Sequence, residues 1–317
     1  MTVSVITLAR GRAAHLANLV RGLAQQTEPP VELIVGVMQD APYADLPDTP
    51  FPVRQILIEG DDVPLAKARN IGAREAAGEM LVFLDVDCIP APGCVADYAR
   101  CLGQHDALAM GEVAYLPAGA ADAGWTWEGF ERVGVRHSDR AGPPEQASAP
   151  CRDYRCFWSL TFAIHRQRFL DAGGFDERYT GYGGEDTDFG RTMDAHGVPI
   201  RWVRGAKCYH QYHPHHMPPV HHLRSVLHNS EVFRSKWGHH TMEHWLRAFR
   251  LMGLIERTDA GIRILREPGE ADFALTRQQA HQPFASSYHV VKKLEREEAE
   301  RSGQGAGKPV RAVAAGV

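Results

Sequence analysis

The chain has no apolar run of about 18 residues, the span a helix needs to cross a bilayer, so no transmembrane segment is expected. None of its six cysteines (Cys88, Cys94, Cys101, Cys151, Cys156 and Cys208) forms a C-x-x-C pair, which argues against a zinc knuckle and for reduced thiols. Positive charge is not in excess either, and a formal net charge of −4 gives no reason to expect a nucleic-acid partner. The N-terminus enters a strand-like TVSVITLA without a basic region and cleavage site, so no signal peptide and a cytoplasmic location are expected. After that strand, Ala9-Arg10-Gly11-Arg12 is too short and too poor in glycine for the phosphate loop that opens nucleotidyl-transfer domains. What remains is an ordinary globular composition, 317 residues with 44% hydrophobic and 23% charged. That suffices for one large α/β domain with decorations or two small ones. Histidine is the exception, since ten of the 17 lie between His210 and His244.

Strands and helices alternate from the start. Val3–Leu8 reads as a buried strand, and Ala13–Gln25 as an amphipathic helix with Leu16, Leu19, Val20 and Leu23 at helical spacing. Strands follow at Val31–Met38 and Val53–Ile58, then a helix at Leu65–Ala76 closed by Gly78 and a strand from Leu81. This alternation predicts an α/β fold, a doubly wound, mostly parallel (mixed) sheet flanked by helices. In such sheets ligands gather at the carboxyl ends of the strands. That rim would carry Thr7–Arg10, Gln39–Asp40 and Asp85–Asp87, with Arg69 and Asn70 on the preceding helix. Ala118–Pro150 reads as a long loop with a helical piece around Trp125–Val133, either a lid or a surface excursion. Later strands are expected at Phe157–His165, Ile200–Val203 and Lys207–His210, with helices at Glu185–Ala195, Ser225–Lys236 and Met242–Ile255. The last two helices suit packing on the core, on a second subunit or against a membrane surface, so peripheral membrane contact stays open. The expected organisation is a domain over 1–240, a helical extension over 241–300 and a disordered tail over 301–317.

Three clusters carry chemistry. In LVFLDVDCIP, residues 81–90, a greasy strand runs into Asp85 and Asp87, after which Pro90 and Pro92 are expected to stop regular structure. At i and i+2 on extended backbone the two carboxylates point the same way and repel. A hard divalent cation carrying phosphates would relieve that repulsion, whereas a solvated strand-end turn is the plain alternative. In YGGEDTD, residues 182–188, tandem glycines precede carboxylates in a first helical turn, where free N–H groups favour anions. Capping alone accounts for this, yet a carboxylate held there beside Tyr182 and Trp158 is also suited to act as a general base on a stacked sugar. In HQYHPHH, residues 210–216, His210 and His213 are near enough to share one borderline cation such as Mn²⁺. A metal store or sensor built on the histidines of 210–244 is the non-enzymatic alternative, and nucleotidyl transfer on a related fold the enzymatic one.

Taken together, VSVITLARGR, LAKARNIGAREAAGEMLVFLDVDCIP, GGFDERYTGYGGEDTDFGRTM and YHQYH resemble the inverting GT-A-fold glycosyltransferases of family 2. The C-terminal half is similar to the β-1,4-galactosyltransferase and polypeptide GalNAc-transferase type. This resemblance covers about residues 1–240. It implies a nucleotide-sugar half over 1–116 and an acceptor and metal half over 151–216. Asp87 would hold Mn²⁺ or Mg²⁺, with His213 or His210 as a further ligand. Asp85 would meet the ribose or the ion through water. Asp186 would be the catalytic base and Glu185 would orient the acceptor. Thr7, Ala9, Arg10, Asp40, Lys67, Arg69 and Trp158 complete the expected donor-binding set. The implied partners are a nucleoside-diphosphate sugar, most simply a UDP-sugar, and a glycan, lipid or small-molecule acceptor. One departure concerns the base contact. The family places an acidic pair at the end of the second strand, where this chain has Val37-Met38-Gln39-Asp40. The contact is expected to shift to Asp40 or Asp62, or the base to differ from uracil.

Overall fold

The structure is a computed structural model describing residues 1–60, 63–122, 124–259, 261–279 and 281–301. The expectations for Asp62 and for the tail beyond 301 lie outside the described residues. Two compact units emerge. The first comprises Met1–Pro214, Arg224–Thr241 and Gln279–Phe284, and the second His215–Leu223, Met242–Gln278 and the chain from Ala285 on.

The first unit opens with β1 (Val3–Ala9), α1 (Ala13–Ala24), β2 (Glu32–Val37), β3 (Val53–Leu57), α2 (Leu65–Glu75) and β4 (Met80–Asp85). Every residue of β1 and β2 is buried, as continuous apolar strands covered on both faces must be. Helix α1 presents Leu16, Leu19, Val20 and Leu23 to that core with no exposed surface. Full burial of such side chains stabilises by roughly 1.5–3 kcal/mol each. After β4 come β5 (Cys88–Pro90), α3 (Cys94–Leu102), β6 (Leu108–Tyr115), α4 (Trp127–Val133), β7 (Val135–Arg136), β8 (Ser148–Cys151) and β9 (Thr161–His165). Then follow α5 (Arg166–Asp171), α6 (Glu185–Ala195), β10 (Ile200–His210) and α7 (Leu223–Trp237), whose first residue belongs to the second unit.

The sheet runs in the order β3-β2-β1-β4-β9-β6-β10-β5, with β7 on β6 and β8 on β10. Strands β1 to β4 are mutually parallel, β9 is antiparallel to both β4 and β6, and β10 is parallel to β6. Reversing twice through β9 leaves β6 and β10 running the same way as β4. The carboxyl ends of β1, β2, β4, β6 and β10 therefore meet on one edge, as does the start of β9, where Thr161 pairs with Leu84.

Two sequence expectations change here. Pro90 does not end regular structure, because Cys88–Pro90 forms β5 on the outside of β10, an edge place where a missing N–H is tolerated. The strands expected at Ile200–Val203 and Lys207–His210 are one strand, β10, bulged between Trp202 and Lys207. At the bulge the Ala206 carbonyl approaches Gly111 so closely that a Cβ there would lie 2.0 Å from it. Only glycine lets β6 and β10 close at this point.

In the second unit, α8 (Glu243–Leu251), β11 (Ile255–Thr258), β12 (Gly261–Ile264), α9 (Glu270–Thr276) and α10 (Ser287–Arg301) form a small helical body with one hairpin. The sequence reading extended α8 to Ile255, but Gly253 at φ +69 ends the helix and Ile255 enters the hairpin. Ion pairs of Arg247 with Glu295 and Arg250 with Glu298 join α8 to α10. No helix among the described residues is long and apolar enough to cross a membrane.

Candidate active site

The pairing of β5 with β10 explains why two distant motifs meet. Cys88 lies opposite His210, and the Gln211 N–H donates to the Asp87 carbonyl at 2.7 Å. Asp87, turned inward between β4 and β5, thus reaches the histidines that leave β10. His210 Nε2 is 3.4 Å from Asp87 Oδ1, and His213 Nε2 is 3.3 Å from Oδ2. One ligand atom from each of Asp87, His210 and His213 can be chosen with all three within 4.8 Å of one another. A carboxylate oxygen with two imidazole nitrogens is a donor set suited to a borderline divalent cation. The buried Oδ1 of Asp87 accepts no hydrogen bond, as a free metal-directed lone pair would not. On both counts the residues fit a cation such as Mn²⁺. Burial works to raise the Asp87 carboxyl, but His210, His213 and Arg12 together hold it well below the ordinary carboxylate range.

A second arm of the site turns on Arg69, which is 3% exposed in α2. Its guanidinium donates to Glu185 Oε1 at 3.3 Å, to Asp85 Oδ1 at 3.4 Å and to Ser159 Oγ at 3.0 Å, and lies over the Phe175 ring. One cation thereby ties the end of β4, the start of β9 and the first turn of α6. Burial lifts the Asp85 carboxyl to about 6, with Arg69 opposing and Asp87 and Glu185 adding to the rise.

Helix α6 begins directly after Gly183 and Gly184, at φ +93 and +91, a left-handed region open to glycine at little cost. This reversal delivers Glu185 and Asp186 to the rim. Asp186 is pushed up to about 7, chiefly by burial and then by Glu185, against donation from the Thr187 N–H and the charge of Arg69. The Tyr182 hydroxyl is raised by burial and by the fields of Glu185, Asp186, Asp85 and Asp87.

The other expected residues are distributed more widely. Thr7 and Ala9 are fully buried in β1, Thr7 Oγ1 is unpartnered, and the Ala9 carbonyl accepts from the Met38 N–H. Arg10 and Asp40 are exposed on the rim. Lys67 donates to the Glu59 carbonyl at 3.4 Å. Trp158 is joined to the histidine arm through rings, meeting His137, which meets Tyr115, which meets His210. At the departure noted after β2, Gln39 accepts from the Gly11 N–H and donates to the Ala41 carbonyl. Sequence reasoning missed Arg12, Tyr115, Ser159 and Gln211. Their signal was position alone: Arg12 in the turn after β1, Tyr115 at the end of β6, Gln211 directly after β10 and Ser159 two residues ahead of β9.

Known proteins resemble this chain in two consecutive segments. Residues 4–144 match the family described as glycosyl transferase family 2, and residues 146–216 the N-terminal domain of galactosyltransferase. The chain is 27% identical over 228 residues to validoxylamine A glucosyltransferase of Streptomyces hygroscopicus subsp. limoneus, covering 62% of this chain and 49% of that protein. It is 28% identical over 176 residues to chondroitin synthase of Escherichia coli, covering 47% and 25%. The chain thus spans about half, or less, of the length of the curated relatives it matches. Among solved structures, one described as GalNAc-T7 with UDP, GalNAc and Mn²⁺ superposes with a TM-score of 0.56 at 15% identity, covering 95% of this chain and 57% of that one. This likeness shows the GT-A-like fold. Along residues 4–216 the chain thus carries a glycosyl transferase family 2 segment continued by a galactosyltransferase-type segment.

Proposed function

We propose that the chain is a metal-dependent, inverting glycosyltransferase that moves a sugar from a nucleoside diphosphate, taken as UDP, to an acceptor hydroxyl. The observation that carries the reading is the meeting of Asp87, His210 and His213 within 4.8 Å on the rim that also receives Glu185 and Asp186. Those three residues would hold Mn²⁺ or Mg²⁺, which supplies Lewis-acid neutralisation of the diphosphate leaving group. Asp85, steadied by Arg69, would meet the ribose. Asp186, raised to about 7, has the basicity to take the acceptor proton near neutrality. Attack from its side, opposite the diphosphate, inverts the anomeric centre, by the logic of inverting hydrolases with an alcohol in place of water. Glu185, fastened by Arg69, orients the acceptor, and Tyr182 and Trp158 offer aromatic faces to a sugar ring. A relative named as a glucosyltransferase and a neighbour of like fold solved with UDP and Mn²⁺ support the choice of donor class. The acceptor would be a glycan, a lipid or a small molecule, and the site of action the cytoplasm.

The test is thermal-shift screening against a panel of nucleotide sugars with and without Mn²⁺. A single nucleoside diphosphate that stabilises only with the cation, followed by slow hydrolysis of its sugar ester, is the expected result. Stoichiometric Zn²⁺ or Ni²⁺ binding with no nucleotide effect would overturn it.

A further inference from the structure

Arg12 stands where neither capping chemistry nor backbone preference accounts for it. It is the residue before α1, with φ 51 and ψ 37 and no side-chain capping bond. Non-glycine residues reach that left-handed conformation at a cost, and helix starts favour Ser, Thr, Asp or Asn. Its side chain does have a partner at long range. The guanidinium donates from Nη1 to Asp87 Oδ2 at 2.5 Å, and Nη2 lies 3.3 Å from His213 Nδ1. A positive group therefore spans two of the three residues that fit a cation. With 38% of its side-chain surface exposed against 7% for Asp87, Arg12 can withdraw into water while Asp87 cannot.

We infer that Arg12 is a displaceable internal counter-ion that competes with the divalent cation for Asp87 and His213. This rests on the metal-dependent reading above. Without the cation, the guanidinium neutralises the buried Asp87 carboxylate and keeps the ligands gathered. A guanidinium and a divalent cation on one carboxylate repel strongly at such distances, so loading the site expels Arg12 towards the rim. The planar fork matters because it touches the carboxylate and the imidazole together, which an ammonium cannot do in the same way. Arg12 thereby lowers the metal affinity of the empty site in return for holding that site in order.

The test is calorimetric titration of MnCl₂ into the full chain without nucleotide, comparing wild type with Arg12→Gly, Arg12→Lys and Asp87→Ala. Glycine accepts the local backbone angles, so Arg12→Gly removes the side chain without adding strain. It is expected to bind Mn²⁺ about tenfold more tightly than wild type, with Arg12→Lys between the two. Its melting temperature is expected to fall by about 3 °C in the cation-free protein and to match wild type in saturating Mn²⁺. Equal or weaker Mn²⁺ binding by Arg12→Gly, with Asp87-dependent binding intact in wild type, overturns the counter-ion role alone. If wild type and Asp87→Ala titrate alike, the metal site itself fails, and the counter-ion role with it.

Discussion

Asp186 is the residue on which chemistry and stability pull in opposite directions. Its carboxyl, at 3.8 in an unfolded chain, rises to about 7 in the fold. Between those values the folded chain binds a proton that the unfolded chain has released. The stability from the neutral carboxyl is therefore full below about pH 3.8 and lost progressively from there until pH passes about 7. Turnover should run the other way, rising with pH through the same region as the base form appears. Asp186→Asn imitates the neutral form. It is expected to lower turnover by roughly 10²–10⁴-fold while exceeding wild-type stability modestly near about pH 5 and by more above about pH 7. Urea denaturation at both pH values, beside a rate profile, checks the pair. A variant no more stable at pH 8 would show that the carboxyl is not strained in the fold.

At the scale of elements, α6 needs an anchor because its first turn carries so much charge. Asp188, 1% exposed, supplies it by accepting from Lys236 Nζ at 2.7 Å and Trp237 Nε1 at 2.6 Å, both on α7. Removing one partner of a buried pair leaves the other without its counter-charge, a loss of about 3–5 kcal/mol. Lys236 is partly exposed and can recover water, so Asp188→Ala is expected to cost about 3 kcal/mol, the lower end of that range. Chemical denaturation measures this, and a loss under about 1 kcal/mol would remove the pair as the anchor. The spacing of the sequence placed α6 correctly but could not name this contact, because Asp188 and Lys236 are 48 residues apart. It also read Pro90 as an end to regular structure, since proline's missing N–H matters only once a strand's neighbours are known.

For the whole molecule, the expected consequence is that cation, donor and stability are linked. Chelation should abolish sugar transfer and remove any stabilisation by the nucleoside diphosphate. Mn²⁺ at about a hundred times its dissociation constant should restore roughly 2.7 kcal/mol, read as a rise in melting temperature. A chelated protein that still transferred sugar at the full rate would make the cation incidental. The amino-acid sequence by itself determined the alternation of strands and helices, the carboxylates at the end of β4 and the glycine-led start of α6. Those features are local, set by periodicity, propensity and φ angles within a few residues. Only the tertiary structure decided that β9 reverses the sheet, that β5 pairs with β10 to bring Asp87 to His210, and that Arg69 and Arg12 supply the opposing charges. Such choices depend on which strand edge and which buried charge find each other across the chain, and no local preference encodes that.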